Sequence, residues 1–298
     1  MRQPATVSLN LTRMAPTPAS TLLHSAFYRF TPLHNPVAAA ALLRGLAHGL
    51  QGSVVLANEG ISGTLAGQAA ALAAFEAALQ QDTVLNGALR GLVFKHSACH
   101  SPPFGRLKVS VKPEIVALGL PTDGSAGQAL PAPDGHDTSH LAPAAWRAVL
   151  AAGDAVVLDN RNHFEYRLGH FRGAVDPLVH NFRDFVAFVQ ANAPAWRAAG
   201  RPVAMYCTGG IRCDKTAPWL RSLGLQVWQL DGGILNYLQQ QPAADAAWQG
   251  QCFVFDNRIA LDAQLQETGT TAEQVFDATL PDEAWRLQRA RRLDRSAG

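Results

Sequence analysis

The chain has few cysteines and no long apolar run, and each absence excludes a class of protein. The four cysteines among 298 residues are Cys99, Cys207, Cys213 and Cys252, and none of them forms a CxxC pair. That spacing argues against a disulfide-bonded secreted scaffold and against a zinc ribbon. No apolar run approaches the ~20 residues that a membrane-spanning helix needs. We therefore expect a protein of the reducing cytoplasm that does not associate with a membrane.

Motifs for the common cofactors are missing as well. The sequence contains neither the GxGxxG pattern that binds dinucleotides nor a phosphate-binding P-loop. Its histidines and carboxylates do not form a pattern typical of a non-haem iron site. His96 and His100 have the spacing of two ligands on one helix face, but Pro102 and Pro103 disfavour a helix there, and we expect a polar loop. The sequence thus predicts no metal site and no organic cofactor.

Positive charge is concentrated in the first part of the chain. The formal net charge is only +2, yet residues 1–112 contain nine Lys or Arg residues and three Asp or Glu residues. Such asymmetry is typical of a surface that binds a polyanion, and equally of a solvated basic face. The candidate phosphate-binding residues are Arg29, Arg44, Arg90, Lys95, Arg106, Lys108 and Lys112.

Two domains are expected from the length of the chain. In residues 26–118 the order of strands and helices contains the pattern β-α-β-β-α-β, followed by a fifth strand, which predicts a ferredoxin-like (acylphosphatase-like) α+β domain. Its helices are expected at residues 37–50 and 69–80, and its strands at residues 26–30, 52–57, 64–67, 91–95 and 107–111. In residues 140–242 strands and helices alternate, which predicts an α/β domain with a parallel sheet covered on both faces.

Three further segments flank these domains. Residues 119–139 are rich in Pro, Gly, Asp and Ser and are interpreted as a linker. Residues 1–25 contain arginine, serine, threonine and proline but no acid, so we expect a disordered tail, or a start assigned too early with Met14 as the true start. Residues 243–298 form a C-terminal extension that ends in a basic, helix-like run.

One cysteine occupies a position that favours its reactive form. An apolar run at residues 202–206 predicts a buried parallel strand, and residues 216–223 predict a helix with Pro218 in its first turn. Cys207 lies between them, where backbone N–H groups and the positive end of a helix favour a thiolate. The alternative is a buried structural cysteine before a turn.

The residues around Cys207 argue against the structural alternative. Gly209 and Gly210 permit a tightly curled loop, and Arg212 adds a cation. The loop from Cys207 to Arg212 resembles the active-site loop of rhodanese-like domains, which carry sulfur as a cysteine persulfide. The longer stretch Tyr-Cys-Thr-Gly-Gly-Ile-Arg-Cys-Asp-Lys at residues 206–215 closely resembles the rhodanese-like family of bacterial tRNA uridine hydroxylases.

The same family resemblance extends over roughly residues 26–260. Residues 58–64, 103–109 and 250–258 are similar to further segments of these hydroxylases. The resemblance implies an enzyme, an oxidoreductase that modifies tRNA by oxygen-dependent 5-hydroxylation of uridine 34 in the anticodon, with molecular oxygen as co-substrate. It also implies a rhodanese domain at residues 140–242.

Site residues follow from this resemblance. It implies catalytic roles for Cys207, Arg212 and Cys213, although Cys213 is expected either to form a transient disulfide with Cys207 or only to pack. The residues expected to bind substrate are Thr208, Gly209, Gly210, Ile211, Arg106 and Lys108. Those expected to support the loop are Asp159, Arg161 and Glu165. We expect the substrate between the basic domain and the Cys207 loop.

Two alternative functions remain open from the sequence. The first is a sulfurtransferase that uses a persulfide on Cys207, which would need neither the basic first domain nor Cys213. The second is a non-enzymatic nucleic-acid-binding protein, which the intact Cys207 and Arg212 argue against. The expected partner is tRNA, with no stable protein partner.

Overall fold

The computed structural model describes residues 22–81, 85, 87–120, 139–241 and 247–297, with side chains up to residue 291. Most of the predicted tail at residues 1–25, and the centre of the predicted linker at residues 119–139, lie outside these ranges. No helix in the described ranges is long and apolar enough to cross a membrane. The predicted fold class is confirmed: an α+β domain with a mixed sheet is followed by an α/β domain with a parallel sheet.

The first domain is a five-stranded sheet with two helices packed on one face. Its strands lie in the order β4-β1-β3-β2-β5, and only the β2–β5 pair is parallel. The elements are β1 (Leu22–Phe30), α1 (Pro36–Leu46), β2 (Gln51–Ala57), β3 (Gly60–Gly67), α2 (Ala69–Gln81), β4 (Phe94–Cys99) and β5 (Leu107–Val111).

Alternation along these strands separates an apolar face from a polar one. Phe27, Val54 and Leu65 pack with helix residues such as Leu43 and Phe75 in one buried core. The residues between them in sequence point to the opposite face, which no helix in the described part of this domain covers. The side chains on that open face are small or polar at its centre, with lysines toward its edges: Tyr28, Ser53, Ser62, Thr64, Lys95 and Lys108.

The second domain has a four-stranded parallel sheet in the order β6-β10-β9-β7. Its strands are β6 (His140–Leu141), β7 (Val156–Asp159), β9 (Val203–Tyr206) and β10 (Val227–Leu230), and a short β8 (Gly169–Phe171) lies outside this sheet. Its helices are α3 (Pro143–Ala152), α4 (His163–Leu168), α5 (Phe185–Ala198), α6 (Ile211–Ser222) and α7 (Gly233–Gln240). The central strand β9 is completely buried between two apolar clusters.

The C-terminal extension contacts both domains. It contains β11 (Trp248–Gly250), which pairs with β8, then the hairpin of β12 (Cys252–Phe253) and β13 (Ala260–Leu261), and helices α8 (Ala272–Val275) and α9 (Pro281–Ala297). Phe164 of the second domain packs against Phe253 and Phe276. The backbone N–H of Asn257 donates to the Pro103 carbonyl of the first domain over 2.9 Å.

Several predicted element boundaries were wrong. Strand β1 begins at Leu22, within the segment expected to be a disordered tail. Helix α1 ends at Leu46 rather than at residue 50, with Ala47 as its C-cap, and Gly49 adopts a φ of 80° in the turn that follows. His96 lies in β4 rather than in a loop, since residues 94–99 pair with β1.

The most consequential difference concerns the helix after the Cys207 loop. It was expected to start at Thr216, with Pro218 in the first turn, but α6 starts at Ile211 and Pro218 lies inside it. The backbone N–H of Asp214 already donates to the Gly210 carbonyl over 3.0 Å. The helix N-terminus is therefore immediately adjacent to the Cys207 loop.

A candidate active site at the Cys207 loop

Cys207 follows the last residue of β9 and lies at the carboxyl edge of the parallel sheet, where open α/β folds bind ligands. The backbone N–H of Gly210 donates to Cys207 Sγ over 3.1 Å. The carbonyls of Cys207 and Thr208 accept from the N–H groups of Ile234 and Leu235 at 2.9 and 3.1 Å, which fixes the loop on α7. The loop thus holds the sulfur at the start of α6.

Gly233 makes this attachment possible. Its φ is 70°, and a Cβ atom there would lie 2.4 Å from the Cys207 carbonyl oxygen and 2.7 Å from that of Thr208. A side chain at position 233 would push the loop off α7, so the attachment of the Cys207 loop to α7 depends on a glycine there.

The surroundings of Cys207 stabilise its thiolate. Burial alone would raise the pKa of this thiol, but a hydrogen bond from Cys213, the charge of Arg212 and backbone N–H groups outweigh burial and lower the pKa from 9.0 to about 6. Burial is the main cause that raises the pKa of Cys99 and of Cys252, the latter to about 12. The thiol that ionises near neutral pH is therefore Cys207.

Cys213 lies behind Cys207. It is buried, and the Nδ2 atom of Asn160 lies 3.7 Å from its Sγ. Burial, followed by the hydrogen bond to Cys207 and the charge of that thiolate, raises the pKa of Cys213 well above its ordinary value. Cys213 therefore acts as a neutral donor to Cys207. Both thiols are free in this structure, and a transient disulfide between them stays a prediction.

Arg212 is held by a carboxylate of the second domain. Its two terminal nitrogens each lie 3.0 Å from an oxygen of Glu165, whose side chain is fully buried. The guanidinium also lies over the rings of Phe182 and Phe255, at 5.6 and 5.4 Å from their centroids. Arg212 is thus a fixed cation beside the sulfur rather than a mobile one.

A second buried pair supports the strand that ends at Cys207. Arg161 donates to both oxygens of Asp159 at 2.8 and 2.6 Å, and the Tyr206 hydroxyl donates to Asp159 Oδ2 over 2.6 Å. All three side chains are fully buried. The predicted supporting roles of Asp159, Arg161 and Glu165 agree with these contacts.

The first domain contacts the Cys207 loop directly. The Tyr28 hydroxyl donates to Asp214 Oδ2 over 2.7 Å, and Lys95 Nζ donates to the Gly209 carbonyl over 3.0 Å. His140 Nε2 lies 3.0 Å from the other oxygen of Asp214. Burial, and then the charge of Asp214, raises the pKa of Tyr28 well above its ordinary value. Tyr28 is therefore a neutral donor at neutral pH.

The open face of the first domain, the Cys207 loop and the C-terminal extension surround one cleft of about 2490 Å³. Cys207, Thr208, Gly209, Ile211 and Arg212 line it from the second domain. The residues that line it from the first domain include Tyr28, Ser62, Thr64, Lys95, Arg106 and Lys108, and those from the extension include Phe255, Trp285, Arg286 and Arg289. Among the described residues, no cluster of three His, Cys, Asp or Glu side chains could hold a metal ion.

Comparison with known proteins identifies the family. Residues 23–115 match the UPF0176 acylphosphatase-like domain, and residues 142–240 match the rhodanese-like domain. A protein from Jannaschia sp. (strain CCS1) is 44% identical over 82% of this chain and 77% of its own length, and carries the name tRNA uridine(34) hydroxylase. The chain belongs to the tRNA uridine(34) hydroxylase family.

Other members of the hydroxylase family show comparable similarity. The protein of that name from Nitrobacter winogradskyi is 41% identical, over 87% of this chain and 98% of its own length. That from Deinococcus radiodurans is 42% identical, over 82% of this chain and 77% of its own length. The family that the sequence resembles is thereby confirmed.

The residues predicted from the sequence to form this hydroxylase site fall into two groups in the structure, those that line the cleft and those that are buried. Cys207, Thr208, Gly209, Ile211, Arg212, Arg106 and Lys108 line the cleft, whereas Gly210 is buried under Tyr28 and Cys213 is buried behind Cys207. Of the candidate phosphate-binding residues, Arg29 and Arg44 donate to backbone carbonyls of their own domain. Lys95 instead contacts the loop.

Sequence reasoning missed Tyr28, Phe255 and Trp285. The alternation along β1 offered a signal for Tyr28, because it places that residue on the face opposite the apolar core. For Phe255 and Trp285 the only local signal was an aromatic residue next to charged ones, which is common on any surface.

Proposed function

We propose that this protein hydroxylates C5 of uridine 34 in tRNA, the activity named for its relatives. The observation that carries the proposal is the buried, low-pKa Cys207 at the bottom of a cleft that a basic domain shares. The function is that of an oxidoreductase acting on an RNA base, with Cys207 as the reacting group.

The chemistry assigned to Cys207 starts from its thiolate. Addition of Sγ to C6 of uracil breaks the C5=C6 double bond and makes C5 nucleophilic. Molecular oxygen then supplies one oxygen atom to C5, and the second leaves as water after accepting two electrons from a thiol reductant. Loss of the C5 proton and of Cys207 restores the double bond. Arg212 and the N–H groups of the loop stabilise the negative charge that develops.

The remaining site residues have binding or supporting roles in this proposal. Thr208, Gly209 and Ile211 contact the target nucleotide from the loop, and Arg106 and Lys108 bind phosphates from the open face of the first domain. Gly210 and Cys213 act through Cys207, because each donates a hydrogen bond to its sulfur. An anticodon base suits the cleft because single-stranded RNA can unstack a base at low cost.

A tRNA substrate implies a cytoplasmic enzyme. No organic cofactor or metal is assigned, because the sequence contains no dinucleotide, P-loop or non-haem iron pattern. Molecular oxygen and an external thiol are the proposed co-reactants.

The test is a reaction of purified protein with unmodified tRNA, dithiothreitol and air, followed by mass spectrometry of the nucleosides. We expect uridine 34 to gain one oxygen atom, and we expect Cys207→Ala to abolish this product. Exclusion of oxygen is the matched control for the co-substrate. Rapid transfer of sulfur from thiosulfate to cyanide, without hydroxylated uridine, would instead establish the sulfurtransferase alternative.

A further inference from the structure

The C-terminal extension presents two exposed aromatic side chains to the cleft. Phe255 is 57% exposed and Trp285 is 42% exposed, and they are the aromatic members of the large exposed hydrophobic residues in the described ranges. Both line the cleft that contains Cys207. Exposed aromatic rings beside a single-stranded RNA substrate are typical stacking partners for bases.

A rigid turn holds Phe255 in place. Arg258, which is buried, donates from two nitrogens to the two oxygens of Asp256 at 2.9 and 2.7 Å, and its third nitrogen lies 3.5 Å from Cys99 Sγ in the first domain. Ile259 adopts a φ of 61°, which is uncommon for a β-branched residue. The turn is therefore fixed by contacts that leave the Phe255 ring exposed.

Phe255 is also close to the reacting group. The Arg212 guanidinium lies over its ring at 5.4 Å, and the ring of Phe253 meets it edge-on at 4.9 Å. Since Arg212 is also the cation that stabilises the Cys207 thiolate, Phe255 borders the place where the target base must bind.

Arginine side chains lie near Trp285 in the cleft. The Arg286 guanidinium lies 4.7 Å from the Trp285 ring centroid, and Arg289 lines the same cleft. Burial, and then the charges of Lys108 and Arg289, lowers the pKa of Lys112, which indicates that cations of the first domain and of α9 lie near one another. Aromatic rings that lie beside cations fit a nucleic acid better than an apolar protein segment.

We propose that Phe255 and Trp285 are base-stacking platforms, Phe255 for the target uridine and Trp285 for a neighbouring base of the same anticodon loop. The proposal rests on the proposed function, since it takes tRNA as the substrate. It gives the extension, residues 247–291, a direct role in substrate recognition. Phe255 and Trp285 position the substrate, and Cys207 reacts with it.

The experiment measures binding of a fluorescein-labelled anticodon stem-loop RNA to the full-length protein by anisotropy. We expect Phe255→Leu and Trp285→Leu each to weaken binding about tenfold or more, because leucine keeps the apolar character but loses the stack. Phe255→Tyr keeps the ring and should bind within about threefold of the wild type. Val37→Ala is the matched control, since Val37 is an exposed apolar residue on α1 outside the cleft.

A second RNA distinguishes stacking from a general surface effect. With an abasic nucleotide at position 34, the wild type and Phe255→Leu should bind the RNA with similar affinity. The RNA then lacks the base that would stack on Phe255, so the substitution has no stacking contact left to remove. A Phe255→Leu protein that still loses about tenfold on the abasic RNA would contradict this assignment.

Failure of the two proposals can be told apart. If the wild type hydroxylates tRNA and both leucine variants bind the stem-loop within twofold of it, the platforms are wrong and the hydroxylase function stands. If the wild type binds the stem-loop in the expected pattern but yields no hydroxylated uridine, the platforms stand and the proposed reaction is wrong.

Discussion

At the scale of single residues, four cysteines in one chain ionise differently because their neighbours differ. All four are buried, which by itself disfavours a thiolate. Cys207 alone combines burial with the charge of Arg212, a thiol donor and backbone N–H groups in sufficient number to lower its pKa. The nature of the neighbours, rather than exposure, thus selects the reactive sulfur.

The pH dependence of alkylation tests this assignment. Because the thiolate is the nucleophile, the rate of iodoacetamide labelling at Cys207 should rise through a midpoint near pH 6, the pKa of Cys207. Loss of a positive charge disfavours the thiolate, so Arg212→Gln should move the midpoint upward by roughly one pH unit. Cys213→Ala should move it in the same direction because it removes a donor.

Arg212→Lys is the matched control, since it keeps the charge and loses the paired contacts with Glu165. Its midpoint should remain close to that of the wild type, as peptide mapping by mass spectrometry would show. Faster labelling of Cys99 or Cys252 in the folded protein would contradict the assignment of Cys207.

At the scale of elements, the site depends on how α6 and α7 receive the loop. Helix α6 starts at Ile211 and brings its N-terminus to the sulfur, while α7 binds the loop carbonyls through Ile234 and Leu235. Between them, Gly233 allows the close approach that a Cβ would prevent.

Replacing Gly233 should therefore destabilise the protein more than a left-handed backbone conformation alone would. Gly233→Ala must adopt a φ of 70° and also push against two carbonyl oxygens, so we expect it to lose roughly 2–4 kcal/mol of unfolding free energy. Gly153→Ala is the control, because Gly153 has a φ of 69° with no atom within 4 Å of the added Cβ. That variant should lose only about 1 kcal/mol.

Urea denaturation of the two alanine variants makes the comparison. If they are equally stable, the close contact of Gly233 with the loop carbonyls does not limit stability. In that case hydroxylase activity should also survive in Gly233→Ala.

Local patterns predicted the strand, loop and helix at Cys207 because each depends on residues close together in sequence. They failed for Pro218, which the rule for helix starts placed in a first turn, although α6 tolerates it inside. They also could not predict the contact between Tyr28 and Asp214, which are 186 positions apart. Phe255 was missed for the same reason, since its significance depends on Arg212 from another domain.

At the scale of the whole molecule, a buried ion cluster joins the two domains. Lys215 of α6 pairs with Glu59, which follows β2, and lies 3.6 Å from Glu114 Oε1. The Lys215 side chain is 4% exposed and the two carboxylates are 9% exposed. This cluster fixes the Cys207 loop against the open face of the first domain.

Removal of Lys215 should weaken the contact between the two domains. Lys215→Ala leaves two carboxylates buried without a cation, so we expect the free energy of unfolding to fall by about 3–5 kcal/mol. Hydroxylation should fall as well, because the cleft loses its fixed width. Arg291→Ala is the control, since the Arg291–Glu273 pair is about half exposed and an exposed ion pair contributes little to stability.

A triple variant, Lys215→Met with Glu59→Gln and Glu114→Gln, tests the cause. It should recover part of the stability that Lys215→Ala loses, because no unpaired charge remains. Equal urea midpoints for Lys215→Ala and Arg291→Ala would contradict a role for the cluster in joining the domains.

The order in which the cleft is assembled follows from where its walls lie in the sequence. The reactive loop is translated well before Phe255, Trp285 and Arg289, which complete the cleft from the extension. At ordinary rates of translation, the ribosome needs on the order of ten seconds to add those later residues. During that interval a nascent chain can present the Cys207 loop before the far wall of the cleft exists. We therefore expect oxidants and electrophiles to reach this sulfur more readily during synthesis than after it.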